Sequence, residues 1–354
     1  MKGTSKVYKD HRCSCDTGRI WRFRLAVCGW LICAAATGLP VAANSAEPAL
    51  IRFSHVTSET SPKGLGAKRF QELVEQRLAG RVRVEVYPGA SRYDDDRAIL
   101  ALLLDELEMA APSLSKFRPV SRRLQVFDIP FLFEDLAHLR RFQEGPSGKK
   151  LLESLQGRGL RGLAYWDNGP RVIATKRPLK LPGDLKGSVF RIEPSDVTAA
   201  QYRALDVVPI ALPFSRVRDA AITGLVNGQE NSWSNIASTR LHDYLPYLIE
   251  LDHTYLSYMV VIRASFWNEL SEDVRGELEK IMAEVTTEVN RLALEKNNAA
   301  RAAIVASGTA TITEPSPEQK SAWKAALASV REEFADVVGR DLIEEAARVT
   351  AQSN

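Results

Sequence analysis

Residues 51–89, IRFSHVTSETSPKGLGAKRFQELVEQRLAGRVRVEVYPG, contain the alternation of elements on which the fold prediction rests. Apolar and polar residues alternate over 51–56, as in a half-buried strand, and a helical pattern begins at Pro62. Gly80 ends that helix, and valines recur with period two over 82–86 in a second strand. Strand, helix and strand in this order are typical of a mainly parallel sheet that helices cover.

The same alternation continues along the chain and predicts an α/β fold with two lobes. Further strands are predicted over 160–166, 171–176, 188–192, 207–211, 225–227 and 255–262, and helices over 94–104, 196–205 and 215–223. The apolar segment 127–133 is predicted to pack between elements. The turn-forming residues 167–170 mark the change of lobe. From Ser271 the pattern is helical, and residues 316–319 predict a capping box at the start of the last helix.

These boundaries define four parts of the chain. We predict a signal peptide over 1–46, a first α/β lobe over 47–168, a second α/β lobe over 169–254, and a crossover strand with C-terminal bracing helices over 255–354. Mixed sheets, hinge strands and long C-terminal helices are therefore expected. No Gly/Ser linker separates the lobes, so their connections are expected to be strands or helices that act as hinges.

The first 46 residues combine seven Lys or Arg side chains with an apolar run over 25–39 and small residues at its end. This order is that of a secretory signal peptide, with a retained membrane anchor as the alternative. Removing this segment changes the 47 basic and 44 acidic residues to 40 and 42, so nucleic-acid binding has little support. All 4 cysteines lie in it, which excludes disulfides and Cys-ligated metals from the mature chain.

No catalytic motif is present in the mature chain. It contains four histidines and no HExxH, GxSxG or P-loop pattern (His55, His138, His242 and His253). No cofactor and no metal site are predicted. A secreted two-lobed enzyme that uses His55 or a carboxylate remains the alternative of a different class.

Two arginines stand in otherwise apolar strands, where a guanidinium needs an anionic partner. Arg191 follows Val-Phe and precedes Ile, and Arg171 begins another strand. Each fork of donors is suited to a carboxylate of a ligand, or alternatively to a protein carboxylate such as Glu193 or Asp167. The polar segment 228–231, GQEN, is predicted to open a helix and to orient a ligand through its amides.

Several of these stretches, in this order and spacing, resemble the substrate-binding proteins of tripartite ATP-independent periplasmic (TRAP) transporters, the type named for dicarboxylate uptake (DctP). The motifs are FSHV at 53–56, GRV at 80–82, VYP at 86–88, FDIPFLF at 127–133, WDNG at 166–169, DLKG at 184–187 with Arg191, and GQEN at 228–231. The resemblance implies a two-lobed periplasmic solute-binding protein that closes on a small organic acid.

The resemblance also implies which residues of the second lobe bind the ligand. Arg191 matches the arginine that forms the bidentate salt bridge with the ligand carboxylate, and Asn231 the amide that contacts the same carboxylate. Phe214 falls on the aromatic position that packs over the ligand. Arg171 falls on a second cationic position, which a dicarboxylate could use.

In the first lobe, the resemblance implies polar contacts to the rest of the ligand from His55, Asp96 and Lys116. Members that bind sialic acid carry a glutamate at the position of Ser113, which argues against that ligand.

The implied partner is a membrane permease with a small and a large subunit. A sensor accessory that presents the ligand to a receptor kinase is the alternative. We expect a monomer, with a dimer through the C-terminal helix as the other possibility.

Overall fold

The computed structural model describes residues 47–351, so the signal peptide predicted over 1–46 lies outside the described residues. Eleven strands form a sheet of five strands and a sheet of six. The strands are β1 (Ala49–Ser54), β2 (Val82–Tyr87), β3 (Met109–Ala110), β4 (Leu160–Pro170), β5 (Val172–Thr175), β6 (Val189–Ile192), β7 (Val208–Ala211), β8 (Gly228–Asn231), β9 (Tyr247–Ile249), β10 (Tyr255–Arg263) and β11 (Thr311–Thr313).

Helices surround the sheets. They are α1 (Pro62–Arg77), α2 (Asp95–Leu103), α3 (Leu136–Glu144), α4 (Pro146–Glu153), α5 (Asp196–Ala204), α6 (Val217–Ile222), α7 (Trp233–Ser238), α8 (Ala264–Glu269), α9 (Glu272–Ser307), α10 (Pro317–Glu333), α11 (Ala335–Val338) and α12 (Arg340–Ala351). Short 3-10 helices cover Leu114–Phe117, Arg122–Asp128, Gln156–Arg158, Pro182–Leu185, Phe214–Arg216 and Leu241–Asp243. Within 47–351, none of the helices combines the length and apolar character needed to cross a bilayer.

The first sheet has the strand order β2-β1-β3-β10-β4. β1 pairs in parallel with β2 and β3, whereas β10 runs antiparallel to β3 and β4. Alternate residues of the first two strands, such as Phe53 and Val84, are buried in a core shared with α1 and α9. The strand–helix–strand pattern at the start of the mature chain therefore produces this sheet, and the predicted α/β class with mixed sheets is confirmed.

The second sheet has the order β11-β9-β5-β8-β6-β7. β6 pairs in parallel with β7 and β8, while β5 runs antiparallel to β8 and β9. The register of β6 and β8 places Phe190 opposite Gly228 and Arg191 opposite Gln229. Side chains that lie opposite one another in a sheet share a face, so Arg191 and Gln229 are neighbours.

The long helix α9 contacts the cores of both sheets. Its 36 residues give it a length of about 54 Å at 1.5 Å per residue. Val285 and Val289 are buried with the first sheet, and Ile304 is buried with the second. The segment 127–133 was predicted to pack between elements, and its position in a core with strands of both sheets confirms this. The capping box predicted at the start of α10 is also confirmed.

Two local predictions were wrong. Residues 167–170 do not form a turn but belong to β4, where a register shift against β10 and the positive φ of Gly169 (105°) produce a β-bulge. Residues 228–231 do not open a helix but form β8, and the strand predicted over 225–227 begins three residues later. The helix start is at Trp233, after the cap Ser232. The reason is that β8 is a buried strand made of polar residues, a pattern that hydrophobic periodicity does not detect.

Gly228 is required by the close packing of β8 against β6. A Cβ at this position would lie 2.0 Å from the Phe190 ring, which is itself fully buried. We expect Gly228→Ala to lower the free energy of unfolding by about 1–3 kcal/mol, because overpacking forces neighbours out of their preferred rotamers. Urea denaturation measures this loss. Gly183→Ala is the matched control, since a Cβ there meets no atom within 4 Å, and an equal loss in both variants would contradict the prediction.

Candidate ligand-binding site

Four cationic side chains of the described residues are almost fully buried: Lys63, Lys116, Arg171 and Arg191. A buried charge costs several kcal/mol unless a partner of opposite charge and hydrogen bonds compensate for it. Lys116 and Arg171 have carboxylates within 4.0 Å. Lys63 and Arg191 have no carboxylate within 4.0 Å among residues 47–351, so an anionic ligand could balance either charge.

Arg171 is already paired with two protein carboxylates. Its Nη1 donates to Glu230 Oε1 and its Nη2 to Glu193 Oε2, both at 2.9 Å. Only Nε lacks a hydrogen bond. Burial alone lowers the pKa of Arg171, but attraction by the two carboxylates outweighs it and the net pKa is raised. Of the two protein partners that the sequence suggested, Glu193 is the one observed, because Asp167 pairs with Arg140 at 2.5 Å.

Glu230 is the centre of a fully buried hydrogen-bond network. Besides Arg171, it accepts a hydrogen bond from the Tyr202 hydroxyl at 2.7 Å and contacts His253 Nε2 at 2.8 Å. Burial raises the pKa of Glu230, but Arg171, His253 and Tyr202 outweigh burial and bring the pKa to about 2. Glu230 is therefore a carboxylate at neutral pH, and its negative charge holds Arg171 in place.

Glu193 joins the two sheets. It binds Arg171 of the second sheet, and it accepts a hydrogen bond at 2.8 Å from the hydroxyl of Ser113, which forms a β-bridge with Tyr258 of the first sheet. Burial raises the pKa of Glu193, but Arg171 and Arg191 outweigh it and lower the net pKa. Ser113 therefore supports an acid of the second sheet across the gap between the sheets.

Arg191 has no carboxylate partner among the described residues. Its side chain is 2% exposed, its Nε donates to the Leu212 carbonyl at 3.0 Å, and its buried Nη2 has no hydrogen-bond partner among the described residues. Burial lowers the pKa of Arg191 more than the attraction of Glu193 raises it. Since Glu193 is bound by Arg171 and Ser113, the free Nη2 donor is available to an anion from outside the protein.

Asn231 and Gln229 extend this donor group along β8. Asn231 Oδ1 accepts hydrogen bonds from the Ser232 amide (3.1 Å) and from Asn235 Nδ2 (2.8 Å). These contacts orient the side chain and leave its Nδ2 donor without an acceptor among the described residues. The Gln229 amide is buried with both polar atoms unpaired, next to Arg191 in register. The predicted pair of Arg191 and Asn231 therefore stands on adjacent strands with free donors.

Phe214 lies close in sequence to the backbone that Arg191 binds. It begins a 3-10 turn two residues after Leu212 and is half-buried against the core of the second sheet. Its ring is therefore held by one side and open on the other, as an aromatic wall of a binding site needs to be.

The first-lobe prediction for Asp96 needs a correction. Asp96 lies on the exposed side of α2 and binds Lys116 Nζ at 2.7 Å, whereas the preceding Asp95 is buried. Burial raises the pKa of Asp95 more than the attraction of Lys63 and Lys116 lowers it. Consecutive helical residues differ by about 100° in direction, so the two aspartates have different surroundings. Of these two aspartates, Asp95 is therefore the buried one.

His55 is buried, and its Nε2 has no partner among the described residues. Its Nδ1 lies 3.4 Å from the Thr57 hydroxyl. Burial, reinforced by repulsion from Lys63, lowers the pKa of His55 to about 3. The ring is therefore neutral at physiological pH and presents one nitrogen for a hydrogen bond without adding a charge.

Lys63 is a buried cation that the sequence patterns did not indicate. It is the second residue of α1, in a helical first turn where lysines are ordinarily solvated and where the helix dipole disfavours a cation. In the structure its Nζ donates to the Ala111 carbonyl at 2.9 Å and lies 3.6 Å from the centre of the Tyr258 ring. The signal in the sequence was this unfavourable position of a lysine.

The fold and these unpaired cations define a two-sheet binding protein for an anionic solute. The chain belongs to the bacterial extracellular solute-binding proteins of family 7 (DctP), whose family model matches residues 53–336. The resemblance to TRAP solute-binding proteins that the sequence motifs suggested is thereby confirmed, and so is the predicted role as a TRAP solute-binding protein.

Individual relatives are similar over nearly their whole length. The C4-dicarboxylate-binding periplasmic protein DctP of Shewanella loihica is 40% identical over 301 residues, which are 85% of this chain and 90% of that protein. A TRAP periplasmic solute-binding protein from Shewanella oneidensis, solved with bound succinate, has 40% identity and a TM-score of 0.84, covering 85% of this chain and 99% of that one. One from Pseudomonas aeruginosa with bound L-malate has 41% identity and a TM-score of 0.79, covering 81% and 100%.

Proposed function

We propose that this protein captures a C4-dicarboxylate and delivers it to a TRAP permease with a small and a large membrane subunit. The observation that carries the proposal is the buried guanidinium of Arg191, which has a free donor and no counter-charge. Relatives of about 40% identity that are named for C4-dicarboxylates, or were solved with succinate or L-malate, support the ligand class.

In this proposal, one ligand carboxylate binds Arg191 Nη2 and Asn231 Nδ2. Both residues are buried, so water competes little and each charge-assisted hydrogen bond is strong. Phe214 packs on the apolar part of the ligand. His55 supplies a neutral hydrogen-bonding nitrogen from the first sheet.

Arg171 and Lys116 take different roles in this proposal from the ones expected from the sequence. Because both Nη atoms of Arg171 are bound to Glu193 and Glu230, we assign it to positioning these acids. Lys116 is likewise paired with Asp96, so a protein carboxylate already balances its charge.

The protein acts in the periplasm in this account, after export through the predicted signal peptide over 1–46. Capture and release require only hydrogen bonds and ion pairs, and no covalent step. We therefore expect succinate that is incubated with the protein to be recovered unchanged, and a chemically altered product would favour the enzyme alternative. The monomeric state stays a prediction.

Thermal unfolding with added ligand tests the proposed function. We expect succinate or L-malate at 100 times its Kd to stabilise the folded protein by about 2.7 kcal/mol and to raise its Tm by several degrees, since the ligand binds only the folded state. Succinamide, which has the same carbon chain without charges, is the control and should leave the Tm unchanged. A protein whose Tm responds to no small dicarboxylate would rule out the proposed ligand class.

A further inference from the structure

Lys63 is a buried cation with little to balance its charge. The side chain is 1% exposed, and Nζ has one hydrogen-bond acceptor, the Ala111 carbonyl. The face of Tyr258 supplies a cation–π contact at 3.6 Å. An ammonium group has three donors, and no carboxylate of the described residues lies within 4.0 Å of this one.

This arrangement is unfavourable for folding by itself. Burial lowers the pKa of Lys63 more than the attraction of Asp95 and Glu193 raises it, so the surroundings do not compensate for the charge. An apolar side chain of similar length would fill the same space without the desolvation cost. A lysine at this position is explained if an anion binds to it.

Buried contacts link Lys63, on the helix α1 that packs on the first sheet, to the surroundings of Arg191 in the second sheet. The hydroxyl of Tyr258, whose ring Lys63 covers, accepts a hydrogen bond at 2.9 Å from Asn168 Nδ2. Asn168 Nδ2 also donates to Ser232 Oγ at 2.8 Å, and Ser232 follows Asn231. A continuous chain of buried contacts therefore leads from Lys63 to the amide that stands beside Arg191.

The number of uncompensated cations matches the charge of a diacid. Within residues 47–351, Lys63 and Arg191 are the two buried cations that lack a carboxylate partner. Lys63 lies on α1, which packs on the first sheet, and Arg191 lies on β6 of the second sheet. Asp95 and Glu193 act electrostatically on both. A monocarboxylate bound at Arg191 would leave Lys63 unneutralised, whereas a dicarboxylate can supply one anionic group to each.

We infer that Lys63 binds the distal carboxylate of the ligand and thereby makes the site selective for dicarboxylates over monocarboxylates. The inference rests on the proposed function, because it takes the first carboxylate to be at Arg191. Lys63, and not Arg171, is then the cation that binds the second carboxylate, because Arg171 is already bound to Glu193 and Glu230. Since Lys63 lies on a helix that packs on the first sheet and Arg191 lies in the second sheet, a diacid also ties the two lobes together.

Calorimetry with succinate and its monoamide, succinamate, tests this inference. We expect the native protein to bind succinate more tightly than succinamate, and Lys63→Met to weaken succinate binding by about 100-fold while changing succinamate binding little. Lys68→Met, which removes an exposed lysine of the same helix, is the control and should leave both affinities unchanged. The Tm without ligand should not fall in Lys63→Met, and Lys63→Gln provides a second variant.

Three other outcomes would reject either this inference or the proposed function. If Lys63→Met still prefers succinate as strongly as the native protein, or loses both ligands equally, Lys63 does not bind the distal carboxylate. If neither the Met nor the Gln variant folds, Lys63 is a structural residue and the inference is overturned. If the native protein binds neither succinate nor succinamate, the proposed function itself fails.

Discussion

Arg191→Met is expected to weaken succinate binding by about 1,000-fold or more. Removing one partner of a desolvated charge pair costs 2–5 kcal/mol or more, because the ligand carboxylate would then be buried without its main donor. In contrast to Lys63→Met, this variant should lose succinamate as well, since the proximal carboxylate is common to both ligands. Isothermal titration calorimetry measures both affinities.

The stability of Arg191→Met separates a binding role from a structural role. Arg191 has no carboxylate partner among the described residues, and its Nη2 makes no hydrogen bond. Its replacement should therefore not lower the Tm of the ligand-free protein. Arg203→Met removes an exposed arginine of α5 and is the matched control for both measurements. A variant that binds succinate normally, or one that fails to fold, would refute the role given to Arg191.

Arg171→Met is expected to lower the free energy of unfolding by about 3–5 kcal/mol at neutral pH. The variant would leave Glu193 and Glu230 buried without the guanidinium that binds both at 2.9 Å. Chemical denaturation measures the loss. Adding Glu230→Gln to the same chain should restore part of the stability, because it removes one of the two stranded charges.

The pH dependence of this loss has a definite sign. The pKa of Glu230 is lowered from 4.5 to about 2 by the network around Arg171, so its contribution to stability is present above pH about 4.5 and is lost as the pH falls towards 2. In Arg171→Met the pKa of Glu230 should rise, and protonation then relieves the buried charge. The difference in stability between the two proteins should shrink on acidification. A difference that grows at low pH would contradict the assigned pairing.

The fold was predictable where the apolar period is strong. The alternation in β1 and β2, the helical spacing of α1 and α9, and the capping box of α10 each depend on neighbouring residues and were correctly predicted. Hydrophobic periodicity does not predict a strand where the buried residues are polar. β8 consists of Gly-Gln-Glu-Asn and is stabilised as a strand by its neighbours β5 and β6, which lie far away in the sequence.

Part of the candidate site was predictable for a related reason. Arg191 stands out because its neighbours in the strand are apolar, and the GQEN segment because it matches a family motif. The choice between Asp95 and Asp96 depends on the rotation of α2, which three consecutive aspartates do not reveal. Lys63 is covered by the ring of Tyr258, nearly 200 positions later in the chain, and the residues around Lys63 do not reveal this contact.

The central claim is that a ligand carboxylate neutralises Arg191. A crystal structure of the protein with succinate tests it most directly. We predict one carboxylate of succinate within hydrogen-bonding distance of Arg191 Nη2 and Asn231 Nδ2. Succinate bound elsewhere, with the Arg191 guanidinium still making no contact except that with the Leu212 carbonyl, would contradict the account.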